Sequence, residues 1–142
     1  MNMKKALTAF VFMLTMNSMV QGQDEITGTW LTQEQNSKVE IYKNGTEYFG
    51  KIVWLEKPMD NKGKPVTDKN NPDKNLKSRP VMGLDMLQNL KYEEGKWVGK
   101  IYAPKRGFTL DAELMLEGNS QLKVKIFRWG FTREQVWTRD SL

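Results

Sequence analysis

The 142-residue chain contains no cysteine and no histidine. Without cysteine there is no thiolate nucleophile, no disulfide framework, no cysteine metal site and no lipid-modified cysteine. Without histidine the usual general base near neutral pH is gone, and with it the commonest transition-metal ligand. No phosphate loop, nucleophile elbow or calcium loop stands in the sequence. Long apolar runs are missing too. The longest, Ala6 to Met16, is about eleven residues, where a transmembrane helix needs around twenty. A carboxylate pair could still do acid–base work, but nothing distinguishes such a pair from ordinary surface acids such as Asp111 and Glu113, so a non-catalytic protein without metal or cofactor is expected.

The same short apolar run is informative by its position. Lys4 and Lys5 precede it, and Val20-Gln21-Gly22 follows with small residues at the two positions a signal peptidase reads. That order describes a cleavable signal peptide over residues 1–22, leaving one domain over 23–142. Export to the periplasm or beyond is expected, with no transmembrane segment in the processed chain. Loss of Lys4 and Lys5 lowers the net charge from +5 to +3. The remaining cations are interleaved with acids, as in Lys57, Asp60, Lys62, Lys64 and Asp68, which is the pattern of a solvated surface. Export and modest charge argue against nucleic acid and leave anionic lipid or cell-wall polymer as charged partners.

From Ile26 onward the dominant period is two. Phe108, Leu110, Ala112, Leu114 and Leu116 share one face of a segment whose other face carries Thr109, Asp111, Glu113 and Glu117. Leu122, Val124 and Ile126 repeat the pattern against Lys123 and Lys125. Strands with one dry and one wet face read this way, and an amphipathic helix would need spacings of three and four. Asn44-Gly45, Glu94-Gly95, Pro104 to Gly107 and Gly118-Asn119 supply hairpin turns at short intervals. The expectation is an all-β fold of about eight antiparallel strands, a sandwich or barrel by spacing, with the short hairpins favouring an up-and-down meander; a monomer is expected.

One stretch lacks any period. Residues 56–79 are rich in Lys, Asn, Asp, Pro and Gly and predict a long loop, a feature that is often functional. The apolar segment after it, Pro80 to Leu90, predicts a helical turn or a short strand, with Leu84, Leu87 and Met86 plugging one barrel end. Asp73, Arg79 and Asp85 flank the loop. Asn71-Pro72-Asp73 followed by Arg79 suits an Asx turn and an Arg–carboxylate pair that fix the loop, or else a polar rim for a ligand head group.

The chain opens its first strand with Gly28-Thr29-Trp30 and closes its last with Trp137-Thr138-Arg139. In this it resembles the calycin superfamily of lipocalins and fatty-acid-binding proteins. That resemblance implies a barrel closed by Gly28, Trp30, Trp137 and Arg139, with the guanidinium across the first indole. A second resemblance covers nearly the whole processed chain. Asn71-Pro72-Asp73, Arg79-Pro80-Val81-Met82-Gly83-Leu84, Trp97-x-Gly99-x-Ile101-Tyr102-x-Pro104 and Leu122-Lys123-Val124 look like the bacterial exported family catalogued as domain of unknown function 2147. It implies a lipocalin-like barrel. Ala103 stands where that family usually has an acid, and Phe108 and Leu110 stand where it tends to have lysine and tyrosine.

Aromatic residues are plentiful. Inward-facing aromatics in a barrel of this size either fill it or line a cavity for one small molecule. The candidate ligand-binding residues are Trp54, Trp97, Ile101 and Tyr102, with Arg79 and Asp85 as polar contacts. The first function expected is binding of a small apolar or amphipathic ligand such as a lipid, by fold analogy. The second is an envelope module with a filled barrel that binds protein or polymer, using Phe127, Trp129 and Phe131 if they are exposed.

Overall fold

Alternating strands joined by tight turns leave each strand its chain neighbour as its spatial neighbour, and the chain closes on itself in that order. The computed structural model describes residues 22–140; the expected signal peptide lies outside the described residues except for Gly22. The strands are β1 (Gly28–Leu31), β2 (Ser37–Asn44), β3 (Glu47–Leu55), β4 (Asp85–Glu93), β5 (Lys96–Ala103), β6 (Phe108–Glu117), β7 (Gln121–Arg128) and β8 (Phe131–Arg139). They form one closed barrel in the order β1 to β8, every pair antiparallel, with Trp30 opposite Arg139 where β1 meets β8. The eight-strand all-β barrel read from the sequence is the fold.

Residues 85–90 of the segment Pro80 to Leu90 are strand, one of the two alternatives expected, and belong to β4. Two details differ from the sequence reading. Leu87 is a fully buried wall residue opposite Gly50, not part of an end plug. The second difference is a bulge in β3. Val39 pairs with Ile52 but Lys38 pairs with Trp54, so Val53 is an extra residue. A bulge of this kind shifts the inside–outside alternation. Tyr48 and Ile52 are therefore inside, whereas Trp54 lies on the outer surface, 39% exposed, with the Lys38 ammonium 5.4 Å from its ring centroid.

Because the strands alternate in direction, the barrel has two unlike ends. At one end lie Gly28, the β2–β3 turn, the β4–β5 turn, the β6–β7 turn and Arg139. A 3-10 turn, Gln23–Ile26, covers it. Its Gln23 carbonyl accepts from Trp97 Nε1 (3.1 Å), Asp24 accepts from the Tyr48 hydroxyl (2.5 Å), and Ile26 is fully buried while its carbonyl accepts from Trp30 Nε1 (2.9 Å). Behind it Trp30, Trp97 and Trp137 sit in one apolar cluster with Val39, Ile41, Tyr48, Leu90, Leu114, Leu122 and Val124. Each indole buries on the order of 200 Å². At about 25 cal/mol per Å² that is roughly 5 kcal/mol of gross transfer free energy apiece, so this closed end carries much of the stability.

Candidate functional site

The opposite, open end is built from the last residues of β1, β3, β5 and β7 and the first of β2, β4, β6 and β8. Registers across β6, β7 and β8 run without a shift, so the inward face can be followed strand by strand to the rim. On β6 it reads Leu114, Ala112, Leu110, Phe108. On β7 it reads Leu122, Val124, Ile126, Arg128. On β8 it reads Trp137, Gln135, Arg133, Phe131. The first members of each row are buried, while Leu110 and Ile126 are partly buried against the core. Phe108 is 41% and Phe131 80% exposed, and Arg133 is exposed. The inward face thus turns from dry to wet along its length and acquires two arginines on the way. The Arg128 guanidinium carbon lies 5.1 Å from the Phe108 ring centroid and 4.5 Å from that of Trp129.

Simple alternation along the chain would put Phe131 on the face of Phe127, opposite Leu122 and Ile126. The hairpin reverses that. Arg128 pairs directly with Phe131 across a two-residue turn, and directly opposed residues share a face. Phe127 remains on the outer wall with the Lys125 ammonium 5.6 Å from its ring centroid. The turn itself is Trp129-Gly130, with φ of 42° and 81°. Two positive values mark the type I′ geometry that favours Asn or Gly at the first position. A tryptophan held there costs about 1–2 kcal/mol, and this one is 79% exposed.

The long loop, residues 56–84, is an ordered strap on the outer wall. Its centre is Asp68, fully buried. The carboxylate accepts from the Tyr102 hydroxyl at Oδ1 (2.6 Å), and from Asn71 Nδ2 and Arg79 Nε at Oδ2 (both 2.8 Å). Burial opposes ionisation of Asp68, but the hydrogen bonds from Tyr102, Asn71 and Arg79 outweigh it and hold the carboxyl below its ordinary value. Burial, reinforced by the Asp68 carboxylate, raises the Tyr102 phenol to about 12. The pairing expected for Asp73 is corrected: Asp68 binds Arg79, whereas Asp73 caps the 3-10 turn Lys74–Leu76 by accepting from the Asn75 amide (2.9 Å). Asn71 does form the Asx turn, its Oδ1 accepting from the Asp73 amide (2.8 Å). Asn70 reaches the β5–β6 turn through the Lys105 carbonyl (2.9 Å). A side chain at Gly107 would collide with the Asn70 carbonyl, and Gly107 has φ of 72°, so both space and backbone require glycine there.

Between the strap and the β3–β4 wall is a surface depression of about 490 Å³, lined by Phe49, Arg79, Met82, Leu84, Asp85 and Gln88 among others. Asp85 accepts from the Tyr42 hydroxyl (2.8 Å), and burial followed by this bond raises the Tyr42 phenol to about 12.

Of the six candidate ligand residues, the structure brings Arg79 together with Tyr102 on the Asp68 carboxylate and with Asp85 in one depression, and leaves the other three elsewhere. Trp97 and Ile101 are packed inside the barrel, Tyr102 lies under the strap, Arg79 and Asp85 line the outer depression, and Trp54 is on the outer surface. Rim residues Phe108, Leu110, Arg128, Phe131 and Arg133 were not among them. Their signal was the unbroken alternation of β6, β7 and β8 beyond the point where burial ends.

The closure residues do meet. The Arg139 guanidinium carbon is 4.2 Å from the Trp30 ring centroid, and its nitrogens donate to the carbonyls of Thr27 (2.9 Å), Glu25 (2.7 Å) and Asn119 (2.7 Å). Gly28, at φ of 124°, leaves room for that guanidinium; a Cβ would stand 2.9 Å from Arg139 Nη1. Trp137 is fully buried beside them.

Residues 28–139 match the model of a family described as an uncharacterised protein conserved in bacteria, DUF2147, and the chain belongs to that family. Among solved structures it is similar to the protein HP1028 of Helicobacter pylori, described as belonging to the lipocalin family. The two are 24% identical, with a TM-score of 0.67 over 81% of this chain and 82% of that one. No curated protein matches. The likeness fixes a lipocalin-like fold. Among the described residues, no helix is long and apolar enough to cross a membrane.

Proposed function

We propose that the protein is a non-catalytic binder of a small amphipathic molecule, seated at the open end of the barrel rather than in a deep central cavity. The observation that carries this reading is the inward face of β6, β7 and β8. It is sealed by indoles at one end and ends at the other in half-buried Leu110 and Ile126 beneath Phe108, Arg128, Phe131 and Arg133. Apolar side chains over a packed floor receive a hydrocarbon segment, and the arginines receive an anionic head. Each is a short-range demand, so the ligand is compact and two-sided. Family membership and the lipocalin-like fold agree with this reading without specifying a ligand.

A direct test is titration with a dansyl-labelled fatty acid. Saturable binding of one molecule per chain is expected. Leu110→Asp should weaken it at least tenfold, and Trp54→Ala should leave it unchanged. Arg128→Gln should weaken the acid about fivefold and spare the corresponding neutral alcohol. If the labelled acid shows no saturable binding, the reading fails.

A second reading, an interaction module with a filled barrel, is favoured by one observation. Trp30, Trp97 and Trp137 occupy the interior, and the depression lined by Phe49 and Asp85 lies outside it. Under that reading neither Leu110→Asp nor Arg128→Gln changes small-molecule binding, because there is none.

A further inference from the structure

The β7–β8 hairpin tip places its two most apolar side chains where the barrel gains nothing from them. Among the described residues Trp129 and Phe131 are the most exposed large apolar ones, at 79% and 80%, and neither belongs to the core cluster. Trp129 also occupies, at φ of 42°, a turn position that Asn would fill with less strain. The equivalent turn at Glu94-Gly95 uses a polar residue at that position, with φ of 48°. A sequence that breaks a local folding rule in order to expose an indole has a use for the indole.

The charges on the two turns that make up the tip are of one sign, although the β1–β2 turn on the same barrel end carries Glu34. The hairpin stretch Phe127 to Arg133 carries Arg128 and Arg133 and no acid, and the adjoining β5–β6 turn, Pro104 to Leu110, carries Lys105 and Arg106 and no acid. The nearest acids along the chain, Asp111 and Glu134, sit on the strands behind them. Among the described residues none of these four cations forms an ion pair with a carboxylate, in contrast to Lys38, Lys96, Lys100 and Lys123. Both turns sit on the same rim, and Phe108 joins them through the Arg128 guanidinium.

We infer that this rim docks the protein on an anionic phospholipid surface, with Trp129 and Phe131 entering the headgroup region while Lys105, Arg106, Arg128 and Arg133 meet lipid phosphates. An indole carries an apolar body and a polar N–H, the combination enriched at membrane–water interfaces, and arginine stems lie along apolar surface while their heads stay at the phosphates. A protein partner fits less well. Specific protein interfaces bury on the order of 1,600 Å² around a central, desolvated cluster, whereas this feature is a protruding tip of two aromatics. A fluid partner accommodates a protrusion; a folded one needs a matching pocket. The inference does not depend on the proposed ligand, although docking by this rim would bring the open barrel end to the lipid surface.

The test is flotation with vesicles of phosphatidylcholine alone or with 30% phosphatidylglycerol, using the chain as its own cell produces it. Parent and variant share one N-terminus, so a difference between them comes from the tip. The parent is expected to float with the anionic vesicles, to float at least tenfold less with neutral ones, and to be released by salt. Trp129→Asn combined with Phe131→Ser should lose at least tenfold in partition while its melting temperature holds or rises, because Asn suits the turn. Arg128→Gln with Arg133→Gln should lose the dependence on phosphatidylglycerol. Parent that stays unbound, or a Trp129→Asn, Phe131→Ser variant that floats as well as parent, overturns the inference. So does binding to a protein partner, lost in the tip variant, when vesicles are not bound.

Discussion

Arg139 on the last strand lies face-on to Trp30 on the first, 4.2 Å from the ring centroid, while its three nitrogens donate to three different backbone carbonyls. One side chain thus links β8 to β1, to the N-terminal turn and to the β6–β7 turn. It does so at the place where the β1–β8 seam is only a few residues long.

Replacing Arg139 by alanine removes a cation–π contact and three charge-assisted hydrogen bonds. The expected loss is about 2–3 kcal/mol, and at roughly 4 °C per kcal/mol the melting temperature falls by about 10 °C. Thermal unfolding followed by circular dichroism checks this. Labelled fatty-acid binding, corrected for the folded fraction, should not change.

Asp68 ties the strap to the wall through an ionised carboxylate. Its folded-state pKa is depressed, so the unfolded chain takes up the proton first as pH falls. The stabilisation is fully present above the ordinary aspartate value near 3.8 and is lost as pH drops below it through the folded value. Asp68→Asn should cost about 2–3 kcal/mol at pH 7, less than for a fully buried pair because Arg79 is about one-third exposed. In urea titrations at pH 7 and pH 3 the variant should lose less on acidification than the parent does.

Burial raises the phenols of Tyr42, Tyr48 and Tyr102 to about 12, and each donates to a carboxylate: Asp85, Asp24 and Asp68 respectively. A raised value in the folded state means stability is unaffected below about 10 and declines as pH climbs from there through about 12. Ultraviolet titration at pH 11 should therefore show Tyr42, Tyr48 and Tyr102 largely un-ionised while the fold persists. Ionisation of all four at that pH in folded protein would contradict the three hydrogen bonds.

Gly107→Ala should detach the strap without opening the barrel. The new Cβ meets the Asn70 carbonyl, and the positive φ adds strain, together about 1–3 kcal/mol. Limited proteolysis should then cut residues 56–84 faster than in the parent, while the far-ultraviolet spectrum stays that of the barrel.

Strand positions were legible because a wall with one dry face imposes a period of two, and β6 and β7 end where that period ends. The bulge at Val53 was not legible: an inserted residue preserves local composition while moving Trp54 from inside to outside. Periodicity also says nothing about a loop. The strap's hub is Asp68, an unremarkable acid among lysines in sequence, and proximity along the chain pointed to Asp73 instead. The side of the sheet taken by Phe131 depended on counting through a two-residue turn whose first residue, Trp129, does not resemble a turn former. Rim residues were visible as members of strands but not as a site, since only three-dimensional closure shows where an inward face becomes wet.

The most direct test of binding at the open end is native mass spectrometry of the chain purified from its own cell, parent beside Leu110→Asp, followed by solvent extraction of bound material. The account predicts a reproducible adduct of one amphipathic molecule on the parent and its absence from the folded variant. An adduct that survives on Leu110→Asp, or a parent that is empty and also fails to bind the labelled fatty acid, would contradict it.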